Sequence, residues 1–134
     1  MTNFEAESLF IGIIYNGFVD IPIAWPNRAF AVPNDGKFAR VSFGSTFTLE
    51  REQGRGQAVH KQRIATMQFF TPLESGRSDI LGWVDAVSEL VTDYVSSDKA
   101  FMIGEPDVTF VGDDGYGKYQ INLTIPHTYW VGNY

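Results

Sequence analysis

His60 and His127 are the only histidines in the sequence, and neither is placed for metal chemistry. A zinc site needs histidines three or four residues apart, or set among acids, so that several lone pairs converge on one ion. His60 instead lies beside Lys61, and His127 follows Pro126, so a structural role is expected for both. Asp113-Asp114-Gly115 places acids next to a glycine. A calcium loop, however, spaces its oxygen ligands at alternate positions and adds a distant Glu. Adjacent Asp and Gly are what a tight hairpin turn requires. Gly54-Arg55-Gly56 is too short for a phosphate loop, lacks the Lys-Ser/Thr ending and sits between strands instead of opening a helix. The chain contains no cysteine, which removes thiolate catalysis, thiolate metal sites and disulfides. No catalytic constellation emerges. The expectation is a protein that is not an enzyme and needs no cofactor or metal.

What the sequence offers instead is contact chemistry, in three places. The first is Ile23-Ala24-Trp25-Pro26-Asn27-Arg28-Ala29-Phe30. Proline sterics hold the residue before each ring in extended geometry, so this is an apolar arm suited to lying along a sheet edge. Ile23, Trp25 and Phe30 are its candidate anchors to a neighbouring subunit. The second is a basic cluster of Arg51, Arg55, Lys61 and Arg63, four of the 10 Lys and Arg in the chain. Such a cluster either guards a strand edge or meets acidic surfaces on neighbouring copies. The third is Tyr129-Trp130-Val131 near the C-terminus, where Trp130 is a candidate ring-closing contact or a lid on the core. Glu50 and Glu52, alternating with Arg51, are suited to pairing across a hairpin, worth ~0–1 kcal/mol at a surface.

These residues need elements to position them. Thr2-Asn3-Phe4-Glu5 has the form of a capping box, and Ala6, Leu9, Phe10, Ile13 and Ile14 recur at helical spacing. A helix is therefore predicted from Thr2 to Tyr15, ended by Asn16-Gly17 in left-handed geometry. Residues 18–36 form the arm, with Pro22, Pro26 and Pro33 preventing regular pairing, and Asn34-Asp35-Gly36 turns the chain. Lys37 to Leu49 alternates as one strand, with Ala39, Val41 and Phe43 on one face. Val59 to Phe70 is a second strand with Ala65, Met67 and Phe69 inward. The polar segment between them makes a long projecting β-hairpin.

Ser78 is expected to cap a second helix running to about Ser96, with Ile80, Val84, Val87, Leu90, Val91, Tyr94 and Val95 as its apolar stripe. A last hairpin joins Asp107–Val111 to Lys118–Val131 through Gly112-Asp113-Asp114-Gly115-Tyr116-Gly117. The predicted fold is one α+β domain over residues 1–134, a mainly antiparallel sheet with two helices packed on one face.

Composition agrees with a globular chain: 44% hydrophobic, 19% charged and 15% aromatic. The aromatic share suits a compact core or an assembly surface. The N-terminal stretch carries acid where a signal peptide carries Lys or Arg, and no apolar run reaches the ~20 residues of a membrane span. Assembly in the cytoplasm, away from membranes, is expected. The net charge of −6 disfavours gripping nucleic acid through its phosphates.

In order along the chain, the N-terminal helix, Ile-Ala-Trp-Pro-Asn at 23–27, the strand Phe38–Phe43, the basic glycine-bearing hairpin, the strand ending Phe69-Phe70-Thr71-Pro72 and the helix begun after Gly76 resemble the tail terminator proteins of long-tailed bacteriophages. These are also described as tail completion or tube-capping proteins. The resemblance covers nearly the whole length and is least marked over residues 98–134. It implies a virion protein forming a hexameric ring at the head-proximal end of the tail tube. Such a ring ends tube polymerisation and joins tail to head. Its partners would be further copies of itself, the tail tube protein and the head–tail connector protein. DNA would pass through the lumen without specific binding. Six copies would carry a formal charge of about −36, which suits a conduit that must let DNA slide. Alternatives are a connector stopper or a tube subunit of the same virion, or, in a different class, a cytoplasmic small-ligand-binding or enzymatic α+β domain.

Overall fold

The computed structural model describes residues 1–51 and 58–132. Helix α1, Asn3–Gly17, starts as its sequence dictates: the Thr2 hydroxyl accepts from the Glu5 amide at 3.0 Å, and the Glu5 carboxylate accepts from the Thr2 amide at 3.3 Å. This reciprocal capping satisfies two amides that a first helical turn leaves without partners. Ala6, Phe10 and Ile14 are its buried positions, four apart and therefore on one side.

The end of α1 departs from expectation. Gly17 stays within the helix, and Phe18 turns to extended geometry with its amide donating to the Ile14 carbonyl at 2.9 Å. The glycine serves space instead of a left-handed turn, because a Cβ there would lie 2.5 Å from Leu90 Cδ1.

Strand β1, Ile23–Ala24, pairs in parallel with β2, Phe38–Phe43, placing Ile23 opposite Ala39 and Ala24 opposite Arg40. The expectation that three prolines keep the whole arm unpaired is thus corrected. The interval between Pro22 and Pro26 is proline-free, and the Pro22 carbonyl itself accepts from the Ala39 amide at 3.0 Å. A proline lacks only a donor; its acceptor still enters a ladder.

The predicted strand from Lys37 to Leu49 is two strands, β2 and β3 (Phe47–Arg51), separated at Gly44-Ser45-Thr46. Both pair antiparallel with β4, Val59–Pro72. β2 runs along its second half from Phe43↔Ala65 to Phe38↔Phe70, and β3 along its start from Phe47↔Gln62 to Arg51↔Val59. Residues 52–57 lie outside the described residues, and with them the tip of the expected projecting hairpin.

Helix α2 spans Ser78–Val91. Ser78 is its first helical residue and not its cap; Arg77 occupies the cap position without a side-chain cap bond. The helix also stops earlier than the stripe suggested. Thr92 ends it, with both its amide and its hydroxyl bonded to the Ser88 carbonyl, and Asp93 turns left-handed at φ 59°. Tyr94 and Val95 then run beside an unforeseen short strand, β5 (Phe101–Ile103). There the Ile103 amide donates to the Tyr94 carbonyl at 2.9 Å and Val95 bridges Met102.

The final hairpin matches the sequence pattern as β6, Asp107–Asp113, and β7, Lys118–Val131. Its turn is held by the acids themselves. Asp113 Oδ1 accepts from the Gly115 amide, and Asp114 Oδ1 from the amides of Tyr116 and Lys118, at 2.7 to 3.1 Å.

β4 and β7 pair along their full length, from Val59↔Val131 to Pro72↔Lys118, and form the spine of the sheet. The order is β1-β2-β4-β7-β5, with β3 also on β4 and β6 also on β7. Apart from β1 with β2, every pair is antiparallel. Residues of one face, among them Met67, Phe69, Ile121 and Leu123, bury against Phe10 and Ile14 of α1 and Val84 and Val87 of α2. The protein is an α+β fold with both helices on that face.

Candidate assembly surfaces

Most of the arm's anchoring chemistry is used within its own chain. Ile23 lies in β1, half-buried against the core. Phe30 sits on Phe38 with ring centroids 5.6 Å apart, and Phe38 stacks in turn on Phe70 at 4.7 Å. Trp25 is half-buried near Tyr15, at 6.5 Å between rings. These two aromatics line two clefts. One of about 450 Å³ is shared with Phe18, Val19, Ile21 and Ile23; one of about 330 Å³ is shared with Glu7, Ile11, Pro26 and Arg28. Tyr15 and Val19 remain largely exposed at their rims.

The basic cluster does not stay together. Register on β4 turns Arg63 toward the helices, where Nη1 meets Glu7 Oε1 at 2.8 Å and Nε donates to the Gly44 carbonyl at 2.7 Å. Its guanidinium also lies 4.7 Å from the Phe43 ring centroid. Arg63 is therefore a strut between helix and sheet, not a free contact, and its expected place among hairpin charges is corrected. Sequence proximity grouped it with the loop, but β4 extends far enough past the loop to carry it, half-buried, beside Glu7 of α1. Lys61 is half-buried opposite Thr48 and Tyr129, and Arg51 is exposed at the end of β3. Arg55 lies outside the described residues.

At the C-terminal end, alternation along β7 separates two neighbours. Tyr129 is buried on the helix side, its hydroxyl donating to Asn3 Oδ1 at 2.9 Å. Burial raises its pKa. Trp130 faces the other side and stacks flat on His60, with centroids 4.4 Å apart and 6° between planes. His60 and Trp130 are register partners on β4 and β7, which is why the rings superpose.

His127 is core. It is 1% exposed, packed between Phe10, Phe43 and Phe101, with Nδ1 3.3 Å from the Ile125 carbonyl oxygen. Burial pulls its pKa down to about 4, helped by the Arg63 charge and opposed by the Ile125 carbonyl. It is neutral at physiological pH. Among the described residues there is no group of three or more His, Asp or Glu placed to hold a metal ion, and no helix long and apolar enough to cross a membrane.

The clearest unsatisfied surfaces are two strands that sequence reading did not single out. β3 is exposed throughout, with Phe47 at 61% and Leu49 at 50%. β6 is exposed over nearly its whole length and presents Val108, Phe110 at 58% and Val111. β3 extends the β4 side of the sheet and β6 the β7 side, so they lie on opposite edges. Each carries a bulge. Leu49 falls between the pairs Thr48↔Lys61 and Glu50↔His60, and Val111 between Phe110↔Ile121 and Gly112↔Gln120. The signal available in the sequence was weak: a short apolar run, Val108 to Val111, between acids, next to a strand of 14 residues that had to pair elsewhere as well.

No family model and no curated protein matches this chain. Among solved structures, one that carries no functional designation superposes with a TM-score of 0.61 at 12% identity, over 96% of this chain and 98% of its own. At that identity the likeness speaks for the fold alone, and it does so over almost the whole length.

Proposed function

We propose that this chain is a structural virion protein of a long-tailed bacteriophage, a tail terminator that forms a ring, hexameric by the resemblance, at the head-proximal end of the tail tube. The observation that carries the proposal is the pair of exposed apolar edges, β3 and β6, on opposite sides of one sheet. A subunit with one self-complementary patch closes into a dimer. A subunit with two unlike patches on opposite sides associates head to tail and forms a ring when the rotation closes. The order of helix, Trp25-bearing arm, strands and second helix supplies the context of the tail. The net charge of −6 per chain suits a lumen that passes DNA without holding it. Trp25 and Trp130, both half-buried, are further contacts proposed for neighbouring copies or for the tube and connector proteins.

Electron microscopy of particles from the parent phage, with this gene interrupted by an early stop codon, tests the proposal. Overlong, headless tails beside filled heads are expected. Tails of normal length with unjoined or leaking heads would move the protein to the connector. Intact infectious virions would overturn a structural role.

A further inference from the structure

We infer that Tyr116, at the tip of the β6–β7 hairpin of one copy, seats in the cleft between α1 and the arm of the next copy. This rests on the ring reading above and names a contact that joins its members. Tyr116 is 89% exposed, more than any other large apolar side chain among the described residues. It stands between Gly115 and Gly117, both left-handed, at φ 82° and 81°. Its own amide donates to Asp114 Oδ1 at 2.7 Å, and the same oxygen accepts from the Lys118 amide at 3.1 Å. The turn that carries the ring is thus fixed beforehand, so seating it sacrifices little backbone freedom. A hairpin turn needs only small polar residues, and folding leaves this aromatic ring in water.

The cleft of about 330 Å³ matches such a side chain in its chemistry. Glu7, Ile11 and Tyr15 follow one another at four-residue spacing and make one wall, a ridge of α1. Trp25, Pro26 and Arg28 of the arm make the other, with Asn27 turned left-handed at φ 54° between Pro26 and Arg28. Glu7 lies two helical turns from Tyr15, about 12 Å. The cleft is therefore aromatic where Tyr15 meets Trp25 and charged toward Glu7. A tyrosine is likewise apolar along its body and polar at its tip. Arg63 engages Glu7 Oε1, and Oε2 is the acceptor for the incoming hydroxyl.

Charge agrees. Arg28 is exposed and makes no ion pair among the described residues. Asp113, exposed beside the hairpin tip, carries the opposite sign. Position agrees as well. The cleft lies beside β1 and the hairpin includes β6, at opposite edges of the sheet. They are separated by four strand spacings, roughly 19 Å, beyond the reach of one tyrosine within its own copy. A knob at one edge and its socket at the other associate head to tail, as a ring requires.

Two defective variants test the contact in the purified full chain by sedimentation velocity. Tyr116→Ala removes the knob and leaves the socket; Trp25→Ala opens the socket and leaves the knob. Each alone is expected to self-associate about tenfold or more weakly than the unsubstituted chain. Mixed in equal amounts they are expected to form a heterodimer that grows no further, because one knob and one socket remain between them. Arg28→Glu, at an exposed position, is expected to weaken association with an unchanged circular dichroism spectrum, and it serves as the socket variant if Trp25→Ala fails to fold. Self-association unaffected by Tyr116→Ala, or no heterodimer from the mixture, would overturn the contact and leave the ring reading standing. An unsubstituted chain that is monomeric at every concentration would also overturn the contact, and the ring reading would then be decided by the tail microscopy above. An unsubstituted chain that stops at dimer, while the mixed variants still pair, would overturn the ring and keep the contact, closed reciprocally between two copies.

Discussion

Arg63 and Glu7 stand 56 positions apart in the chain and meet at 2.8 Å. The same guanidinium bonds the Gly44 carbonyl and covers Phe43, so one side chain ties α1, the break between β2 and β3, and β4 together. That break is where the chain leaves the arm's partner strand for the exposed edge strand.

Replacing Arg63 by Met keeps the aliphatic stem but removes the ion pair, the carbonyl bond and the ring contact. The expected cost is roughly 2 kcal/mol, typical of hydrogen bonds to charged groups with an added cation–π contribution. Urea unfolding measures it. A double-mutant cycle with Glu7→Gln is expected to show coupling of about 1 kcal/mol. A cost within experimental error would mean the pair is mere surface decoration.

Helical glycines are expected to respond in opposite directions. Gly12 and Gly82 have nothing within 4 Å of an added Cβ, so alanine at either is expected to stabilise by about 0.5–1 kcal/mol through helix propensity. At Gly17 an alanine would press on Leu90 at 2.5 Å, and overpacking is expected to cost about 1 kcal/mol net. Thermal melts of the three variants give the comparison. Leu90→Ala is expected to relieve Gly17→Ala selectively.

His127 makes stability depend on pH. Its folded pKa of about 4 lies below the ordinary histidine value of 6.5, so between these values the unfolded chain binds a proton that the folded chain refuses. Stability is therefore full above about 6.5 and falls as pH drops toward 4, by roughly 3 kcal/mol in all. His127→Phe is expected to flatten this part of the curve, as followed by urea midpoints across the range.

The capping box at the start of α1 is worth about 1 kcal/mol by the usual cost of removing a Thr cap. Thr2→Ala is expected to lower the urea midpoint accordingly without changing the spectrum of the folded state. Thr2→Ser should restore most of it.

Trp25 discriminates between assembly and ligand binding. Its ring is half-buried between two clefts beside Tyr15. Trp25→Ala is expected to weaken ring assembly about tenfold or more, as loss of an aromatic interface anchor does, when read by sedimentation at several concentrations. Unchanged self-association with altered small-molecule binding would point to a ligand domain.

Local rules made several elements legible from the sequence. The capping box of Thr2 and Glu5, the stripe Ile80-Val84-Val87-Val91, the Asp-Gly turn at 113–115 and the alternation of Ala65, Met67 and Phe69 each depend on residues a few positions apart. Backbone periodicity and short-range hydrogen bonding fix these wherever the chain is placed. Distant pairing decided the rest. Tyr94 and Val95 kept helical spacing but were drawn off to run beside β5, whose three residues are too few to give a pattern of their own. Arg63 read as a loop charge until the register of β4 turned it toward Glu7. Only the sheet order shows which strands are edges, because an edge is defined by the strand that is not beside it. The sequence by itself thus determined the capping box, the buried stripes of the two helices, the Asp-Gly turn and the inward faces of the long strands. The tertiary structure alone decided that Phe47, Leu49, Phe110 and Val111 are left facing outward on opposite sides of one sheet.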